Sequence, residues 1–244
     1  MCSLALCILF SNGPAYASRD DDTSLIEAAG RGDVRIFKMM LDMGANSNAF
    51  DPGGNSAILM AAYHSQRDMV RRLIELHANV NIRGNIGYTP LAAAAMRNDI
   101  EIVKMLIKAG ARLNDHDDAG DSPLLNAIRF QRDSIVKLLI DEGADVNITD
   151  AEGQSPLMLS AQFGRLDYID KLLSKSADVN LLDKQDSSAL YYAIFEGHDE
   201  IASRLISAKA SIKRINNGYS LLHWARAMGR TTIVPLILGQ GATN

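Results

Sequence analysis

Cysteine is nearly absent from this chain, and both thiols lie close to the amino terminus. The 244 residues include two cysteines, Cys2 and Cys7. Beyond residue 7 there is therefore no cysteine that could act as a nucleophile. A chain that loses its first residues would contain no thiol, which suits an oxidising compartment.

A strong charge of either sign is also missing. The formal net charge is −4, charged residues make up 22% and hydrophobic residues 47% of the chain, and the mean hydropathy is −0.04. This composition argues against disorder. No basic stripe with interleaved aromatic residues is present, and a mildly acidic chain does not attract nucleic acid. The sequence therefore predicts no nucleic-acid partner.

Catalytic and metal-binding motifs are the third absence. The chain has no Gly-x-Ser-x-Gly elbow, no phosphate-binding glycine-rich loop with Lys-Ser/Thr, and no His-Glu-x-x-His. Its five histidines do not share one position in the pattern described below, so they do not form a ligand set. The dense acidic run Asp115-His-Asp-Asp118 lacks the ligand spacing of a calcium loop and is interpreted as a solvated turn. We therefore expect no enzyme activity, no metal and no cofactor.

The first residues have the layout of a secretory signal peptide. An apolar run, Leu4–Phe10, is followed by Asn12-Gly13-Pro14 and then by Ala15-Tyr-Ala17. The apolar run is too short to span a bilayer, and Ala-x-Ala is a cleavage pattern. We expect cleavage between Ala17 and Ser18 and a periplasmic or secreted protein with no stable membrane span. The alternative is an uncleaved apolar segment that covers the first structural unit of a cytoplasmic protein.

Most of the chain after residue 20 repeats with a period of 33 residues. The pattern Gly-x-[Ser/Thr]-[Pro/Ala]-[Leu/Ile] places its hydroxyl residue at 56, 89, 122 and 155. One step forward reaches Ser188, and the next marker, Ser220, comes one residue early. Alanines at 45, 78, 111, 144, 177 and 210 keep the same phase, several of them within Gly-Ala-x-x-Asn. Two markers in one register indicate stacked supersecondary units.

Each unit predicts two short helices. Ser122 or Thr89 can cap a first helix, and the proline that follows suits its first turn. In the first unit, Ser24 and Glu27 have capping-box spacing. A polar break precedes a second segment with helical periodicity. Gly110 and Gly143 are predicted to end second helices in the left-handed conformation, at a position where other units carry His77, Ser176 and Lys209.

The 33-residue unit with Thr-Pro-Leu and Gly-Ala-Asp-Val-Asn resembles the ankyrin repeat. The resemblance covers about residues 21–244 and implies an all-α solenoid of helix-turn-helix units joined by hairpin-like loops. The family's histidine after Pro-Leu is present only at His223, where a structural role is expected. We expect a signal peptide at residues 1–17 and a repeat domain at 18–244. Its seven units are predicted at about residues 21–53, 54–86, 87–119, 120–152, 153–185, 186–217 and 218–244.

The two ends of such a stack must face solvent. Asp20, Asp21 and Asp22 suit an amino-terminal cap. The last unit suits the role less well, since Leu236 takes the place of Arg204 in the previous unit. We interpret this end as lightly exposed, with contact to a partner or a second copy as the alternative, and we expect a monomer.

The resemblance also predicts the interaction surface. In the family, partners usually dock on the concave side, at the ends of the first helices and at the loop tips. Aromatic residues are scarce here, at 6%, yet several fall at these positions, and aromatic rings and arginine dominate binding hot spots. The alternative is that the rings only fill the groove. The predicted protein-binding residues are Tyr63, His64, Tyr88, Met96, Arg97, Arg129, Phe130, Gln162, Phe163, Phe195, Glu196 and Tyr219, with Asn55, Ile86, Asp121, Gln154 and Lys184 as further tip positions.

Taken together, these features predict a non-catalytic module that presents a rigid concave groove to a protein partner. Two alternatives differ in class. One is a secreted host-directed effector or toxin-associated protein, which would need chemistry outside the repeats. The other is an intracellular scaffold with an uncleaved amino terminus.

Overall fold

The described part of the chain is a stack of helix pairs. The computed structural model describes residues 19–212, 215–216 and 218–241, so the predicted signal segment and Ser18 lie outside it. Within these residues there are fourteen α-helices, a short 3-10 turn at Asn85–Gly87 and one two-stranded hairpin. The helices are α1 Arg19–Arg31, α2 Val34–Asp42, α3 Ala57–Tyr63, α4 Arg67–Glu75, α5 Pro90–Arg97, α6 Ile100–Lys108, α7 Pro123–Arg129, α8 Asp133–Asp141, α9 Pro156–Gln162, α10 Leu166–Ser174, α11 Ala189–Glu196, α12 Asp199–Ser207, α13 Leu221–Ala227 and α14 Ile233–Gly239.

Hydroxyl side chains begin the first helix of each unit after the first, as predicted. Each accepts a hydrogen bond from the backbone N–H three residues later, which satisfies a donor that the helix cannot. Proline at the first helical position, as in α5, α7 and α9, has no N–H to lose. The capping residues are Ser56, Thr89, Ser122, Ser155, Ser188 and Ser220.

The first unit departs from this rule, and the predicted capping box is wrong. Helix α1 begins at Arg19, so Ser24 lies inside the helix and does not cap it. Glu27 instead pairs with Arg31 at 3.1 Å, one turn later. Three aspartates, Asp20 to Asp22, occupy the first turn of α1, where negative charge interacts favourably with the helix dipole. The acidic terminus therefore replaces the capping hydroxyl of the other units.

The helices form two layers around a continuous apolar core. The first helices of the pairs contact one another in sequence, from α1 and α3 through α11 and α13, and along most of the stack they pack more closely than the second helices do. Small residues allow this approach, as in the buried run Leu91–Ala95 of α5. Since one layer is spaced more tightly than the other, the stack curves toward the first helices, and we call that side the concave face.

Three pairs of neighbouring units are joined where the first helices α5, α9 and α11 end. The residue after the turn reaches back across the stack and donates to a free carbonyl at the end of the previous first helix. Arg132 Nε donates to Met96 O at 2.9 Å, and Arg230 Nε donates to Ile194 O at 3.0 Å. His198 Nε2 lies 3.2 Å from Gln162 O in the same arrangement. A side chain of the next unit thus caps the helix, satisfying a carbonyl that would otherwise lack a partner.

The second helices end in the left-handed conformation that the repeat predicts. Gly110 and Gly143 have φ values of 88° and 92°. His77, Ser176 and Lys209 replace the glycine, and they adopt φ values of 58°, 63° and 70°. A side chain is disfavoured there, because Cβ crowds the backbone at positive φ. The fold therefore imposes one geometry on different residue types.

The asparagine of the Gly-Ala-x-x-Asn marker ties consecutive loops together. Its Oδ1 accepts the backbone N–H of the residue 31 positions later, as between Asn147 and Asp178 at 2.8 Å. The same bond recurs from one unit to the next across the stack. Its acceptors are Asn48, Asn81, Asn114, Asn147 and Asn180.

A buried aspartate holds the turn at three of the loop tips. Asp150 Oδ1 accepts from the N–H groups of Glu152 and Gln154, and Asp117 and Asp183 make the same pair of bonds to their own turns. Asp117, from the acidic run singled out in the sequence, therefore organises a turn. Successive tips are also joined through the backbone, as where Ala151 N–H donates to Ala119 O at 3.1 Å.

The last described unit starts from a hairpin of Ile215–Asn216 (β1) and Tyr219–Ser220 (β2). Arg226 occupies the position in α13 that corresponds to the buried Ile194 in α11. A charged residue therefore replaces an apolar one at this position. Leu236 and Leu238 of α14 are exposed, as the sequence indicates for this end. No helix in the described residues has the length and apolar character needed to cross a membrane.

Candidate functional site

The predicted binding residues lie at the ends of the first helices and at the loop tips, on the concave face. They fall in two adjacent registers. Tyr63 and Phe195 belong to one, while Phe130 and Phe163 lie one residue later in their units. All four rings are exposed. The aromatic residues therefore form a staggered band rather than a single row, and the band has three regions of different character.

The amino-terminal region of the band is an open groove between the second and third tips. Its volume is about 330 Å³. Arg97 lies over the Tyr63 ring, with the guanidinium carbon 5.4 Å from the ring centre, and His64 meets the same ring edge-on at 5.2 Å. Burial and the nearby Asp117 and Asp121 carboxylates raise the pKa of Tyr88. We call this the tyrosine groove, and it is lined by Asn55, Leu59, Met60, Tyr63, Asn85, Ile86, Tyr88 and Ala93.

The central region is polar, and Arg129 lies at its centre. Its Nε donates to Asp121 Oδ1 at 3.0 Å, and its guanidinium also bonds Asp150 Oδ2 and Gln154 Oε1. Asp121 belongs to the loop tip before α7, whereas Asp150 and Gln154 belong to the next tip along the chain. Burial raises the pKa of the Asp121 carboxyl, although the ion pair with Arg129 opposes that shift. Arg129 was predicted as a partner-facing anchor, and the structure places it in a network that joins two units.

The polar network continues toward the carboxyl terminus through Tyr192. Gln154 Nε2 donates to the Tyr192 hydroxyl at 3.0 Å, and that hydroxyl donates to Asp183 Oδ2 at 2.6 Å. Burial and the bond to Asp183 raise the pKa of Tyr192 to about 12. Phe130 and Phe163 flank this region, and Arg132 lies 5.9 Å from the Phe130 ring centre. Gln162 is half-buried beside them.

The carboxyl-terminal region is a cluster of aromatic rings. Tyr191 and Phe195 stack with centroids 5.7 Å apart, and both meet Trp224 edge-on. Tyr219 stacks on His223 at 4.4 Å, and this histidine is exposed in the first turn of α13. The Trp224 Nε1 atom is buried and has no hydrogen-bond partner among the described residues. Glu196 is exposed at the edge of the cluster.

Sequence reasoning missed several members of these regions. Leu59 and Met60 precede the positions that the family pattern marks as variable, so their place in the tyrosine groove had no signal. Tyr191 and Trp224 occupy consecutive units at helical positions that are usually apolar, and the single tryptophan was the one available clue. In the described part of the chain, no group of three or more His, Cys, Asp or Glu side chains is placed to hold a metal ion.

Comparison with protein families agrees with this architecture. The family model described as ankyrin repeats (3 copies) matches residues 3–84, 77–150, 124–216 and 157–244, which together span almost the whole chain. No curated protein matches the chain. The chain belongs to the ankyrin repeat family, and ankyrin repeats indicate a protein-interaction module.

Proposed function

We propose that this chain is a non-catalytic module of seven ankyrin units that binds a protein partner on its concave face. Each helix pair is one unit, with the boundaries given by the 33-residue period. The mechanism is the presentation of a preformed surface, because the caps, the tip bonds and the asparagine bonds fix the backbone before any partner arrives.

The exposed aromatic band carries this proposal. Phe130 is 45% exposed and Phe163 is 36% exposed, although the core next to them is fully buried. Rings that served only to fill the groove would be covered by the neighbouring loop. A contiguous exposed apolar surface rimmed by polar groups is typical of an interaction site. The polar centre around Arg129 and Tyr192 supplies the hydrogen-bonding groups that such interfaces contain.

A paired-variant capture experiment tests the proposal. The Phe130→Ala plus Phe163→Ala variant is compared with Met43→Ala plus Leu76→Ala, whose side chains are 46% and 47% exposed at the ends of two second helices. Partners captured from the native compartment should be lost with the first variant and retained with the second. Capture of every partner by a folded Phe130/Phe163 variant would refute the role of the concave face.

The compartment is a separate part of the proposal. The Ala-x-Ala pattern and the confinement of both cysteines to residues 1–17 support export to the periplasm or the exterior. Amino-terminal sequencing of the native protein should then begin at Ser18. A sequence that begins at Met1 or Cys2 would favour an intracellular module with the same binding face.

A further inference from the structure

Ile86 adopts a backbone conformation that a β-branched residue rarely takes. Its φ and ψ are 55° and 21°, in the left-handed region. At the same register of other tips, Ala119, Glu152 and Gln185 do not have positive φ. A branched side chain in this conformation crowds the backbone, and such strain occurs preferentially at binding sites. The geometry of the turn therefore does not explain why an isoleucine occupies position 86.

The loop tip that contains Ile86 differs from the other tips, and the difference extends into the groove beside it. Gly84 stands where three other tips have a buried aspartate. A Cβ atom at Gly84 would come within 2.2 Å of Leu59 Cδ2, so the Leu59 side chain occupies the space that an aspartate would need. Without that carboxylate, the Ile86 N–H donates to Asn85 Oδ1 at 2.9 Å instead. Leu59, Gly84 and Ile86 thus form one arrangement that differs from that of the other tips.

This arrangement exposes a large apolar side chain at the mouth of an apolar groove. Ile86 is 56% exposed, more than any other large hydrophobic residue whose exposure the structure describes. Its backbone is fixed from the next unit, since Ile86 O accepts from Asp118 N–H at 3.1 Å. The strain is therefore held in place by the neighbouring loop and the side chain remains at the groove.

The rim of the groove carries a cation. Arg97 is exposed over the Tyr63 ring, and no ion pair of the described residues includes it. Carboxylates close to the groove have other partners: Asp51 accepts from Asn55 Nδ2 at 3.1 Å, Asp118 is paired with Arg83 at 3.3 Å, and Asp121 is paired with Arg129 at 3.0 Å. An incoming carboxylate can therefore pair with Arg97 in a position where the ring beneath limits its hydration.

We propose that the tyrosine groove binds a segment of the partner protein through one apolar side chain packed against Ile86 and an acidic side chain paired with Arg97. The inference rests on the proposed function and identifies the kind of segment that the concave face takes. A volume of about 330 Å³ holds one large side chain and its backbone.

Selection from a library of random linear peptides tests the proposal. The full chain is the bait, the Ile86→Gly variant is used for counter-selection, and the peptides contain about twelve residues, which span several units at about 3.3 Å per residue. Enriched sequences should share an aliphatic residue with Asp or Glu close to it. An enriched peptide is then synthesised, with a second version in which the acid is replaced by its amide.

The affinities of these peptides separate the possible outcomes. Ile86→Gly should weaken binding about tenfold, because most of one apolar contact is lost. Its melting temperature should be equal to or above that of the parent, since glycine relieves the strain. Arg97→Gln should weaken the acidic peptide several-fold but leave the amide version unchanged, while Leu76→Ala, on a second helix, should change neither. This coupling between Arg97 and the peptide acid is what a double-mutant cycle measures.

Several results would overturn the inference. The first is that no peptide is enriched. The second is that binding is insensitive to Ile86→Gly, and the third is that Arg97→Gln weakens both peptide versions equally. A different outcome is that peptides bind independently of Ile86 and yet bind the Phe130→Ala plus Phe163→Ala variant more weakly than the parent chain. This result would overturn the site at the tyrosine groove and leave the concave-face proposal intact. Pairing of two copies of the chain through the groove, detected as an Ile86-dependent dimer, would also count against it.

Discussion

Replacing Arg129 by alanine should destabilise the fold, because the guanidinium compensates two carboxylates that are largely removed from solvent. The Asp150 side chain is 3% exposed and that of Asp121 is 14% exposed, whereas Arg129 itself is 32% exposed. Removing one partner of a fully buried pair costs about 3–5 kcal/mol, and an exposed pair is worth about 0–1 kcal/mol. Asp150 would keep its two backbone N–H donors. We therefore expect a loss of about 2–3 kcal/mol in the free energy of unfolding, between those limits.

Urea denaturation at neutral pH measures this loss, with Arg97→Ala as the matched control. Arg97 contacts a ring and no carboxylate, so its replacement should cost less than about 1 kcal/mol. In the Arg129 variant, the folded-state pKa of Asp121 lies further above its unfolded value. Protonation then favours the folded chain, and the deficit should shrink as the pH falls. Equal costs for the two variants, or a deficit independent of pH, would refute the assignment of Arg129 as a structural residue.

Three further changes follow from other contacts. Asn147→Ala removes the acceptor for the Asp178 N–H and should lower the free energy of unfolding by about 1 kcal/mol in urea; a change within error would show that water replaces the side chain fully. His77→Gly should raise the same quantity by about 0.5–1 kcal/mol, because φ is 58° there and glycine tolerates it, and a loss of stability would contradict this. The protonated Tyr192 phenol, with its pKa of about 12, contributes stability that is complete below pH 10 and is lost as the pH rises through 12. Tyr192→Phe, which cannot donate to Asp183, should reduce the alkaline loss of stability, as measured by unfolding at a series of pH values, and Tyr88, Tyr168 and Tyr191, whose pKa values are also raised, contribute to the rest.

Local chemistry made much of the fold predictable from the sequence. The capping hydroxyls, the prolines and the left-handed positions each depend on a few neighbouring residues, so their spacing predicted where helices begin and end. The first unit failed because its acidic terminus lengthens α1 to Arg19, and this removes Ser24 from the cap position. No local rule distinguishes a hydroxyl that caps from one inside a longer helix.

The site was less predictable, because its contacts join residues that are far apart in sequence. The position of Arg129 at a helix end suggested a partner-facing anchor, yet its partners are 8, 21 and 25 residues away. The conformation of Ile86 depends on Gly84 and on Leu59 in helix α3, far from the tip in sequence, so the residues of the tip alone gave no indication of strain. The family pattern located the surface, and tertiary packing decided which of its side chains remain free.

The back-reaching residues of three units constrain how the chain can be shortened and in which order it is completed. The ends of α5, α9 and α11 are closed only when Arg132, His198 and Arg230, respectively, of the following unit are in place. A fragment cut at the 33-residue boundary after any of these three helix pairs would therefore leave the end of its last first helix with an open carbonyl. As the chain leaves the ribosome, each of these three units is finished by the synthesis of the next one. The natural boundary of a stable fragment that ends on one of them lies a short distance into the following unit, after the residue that closes the helix before it.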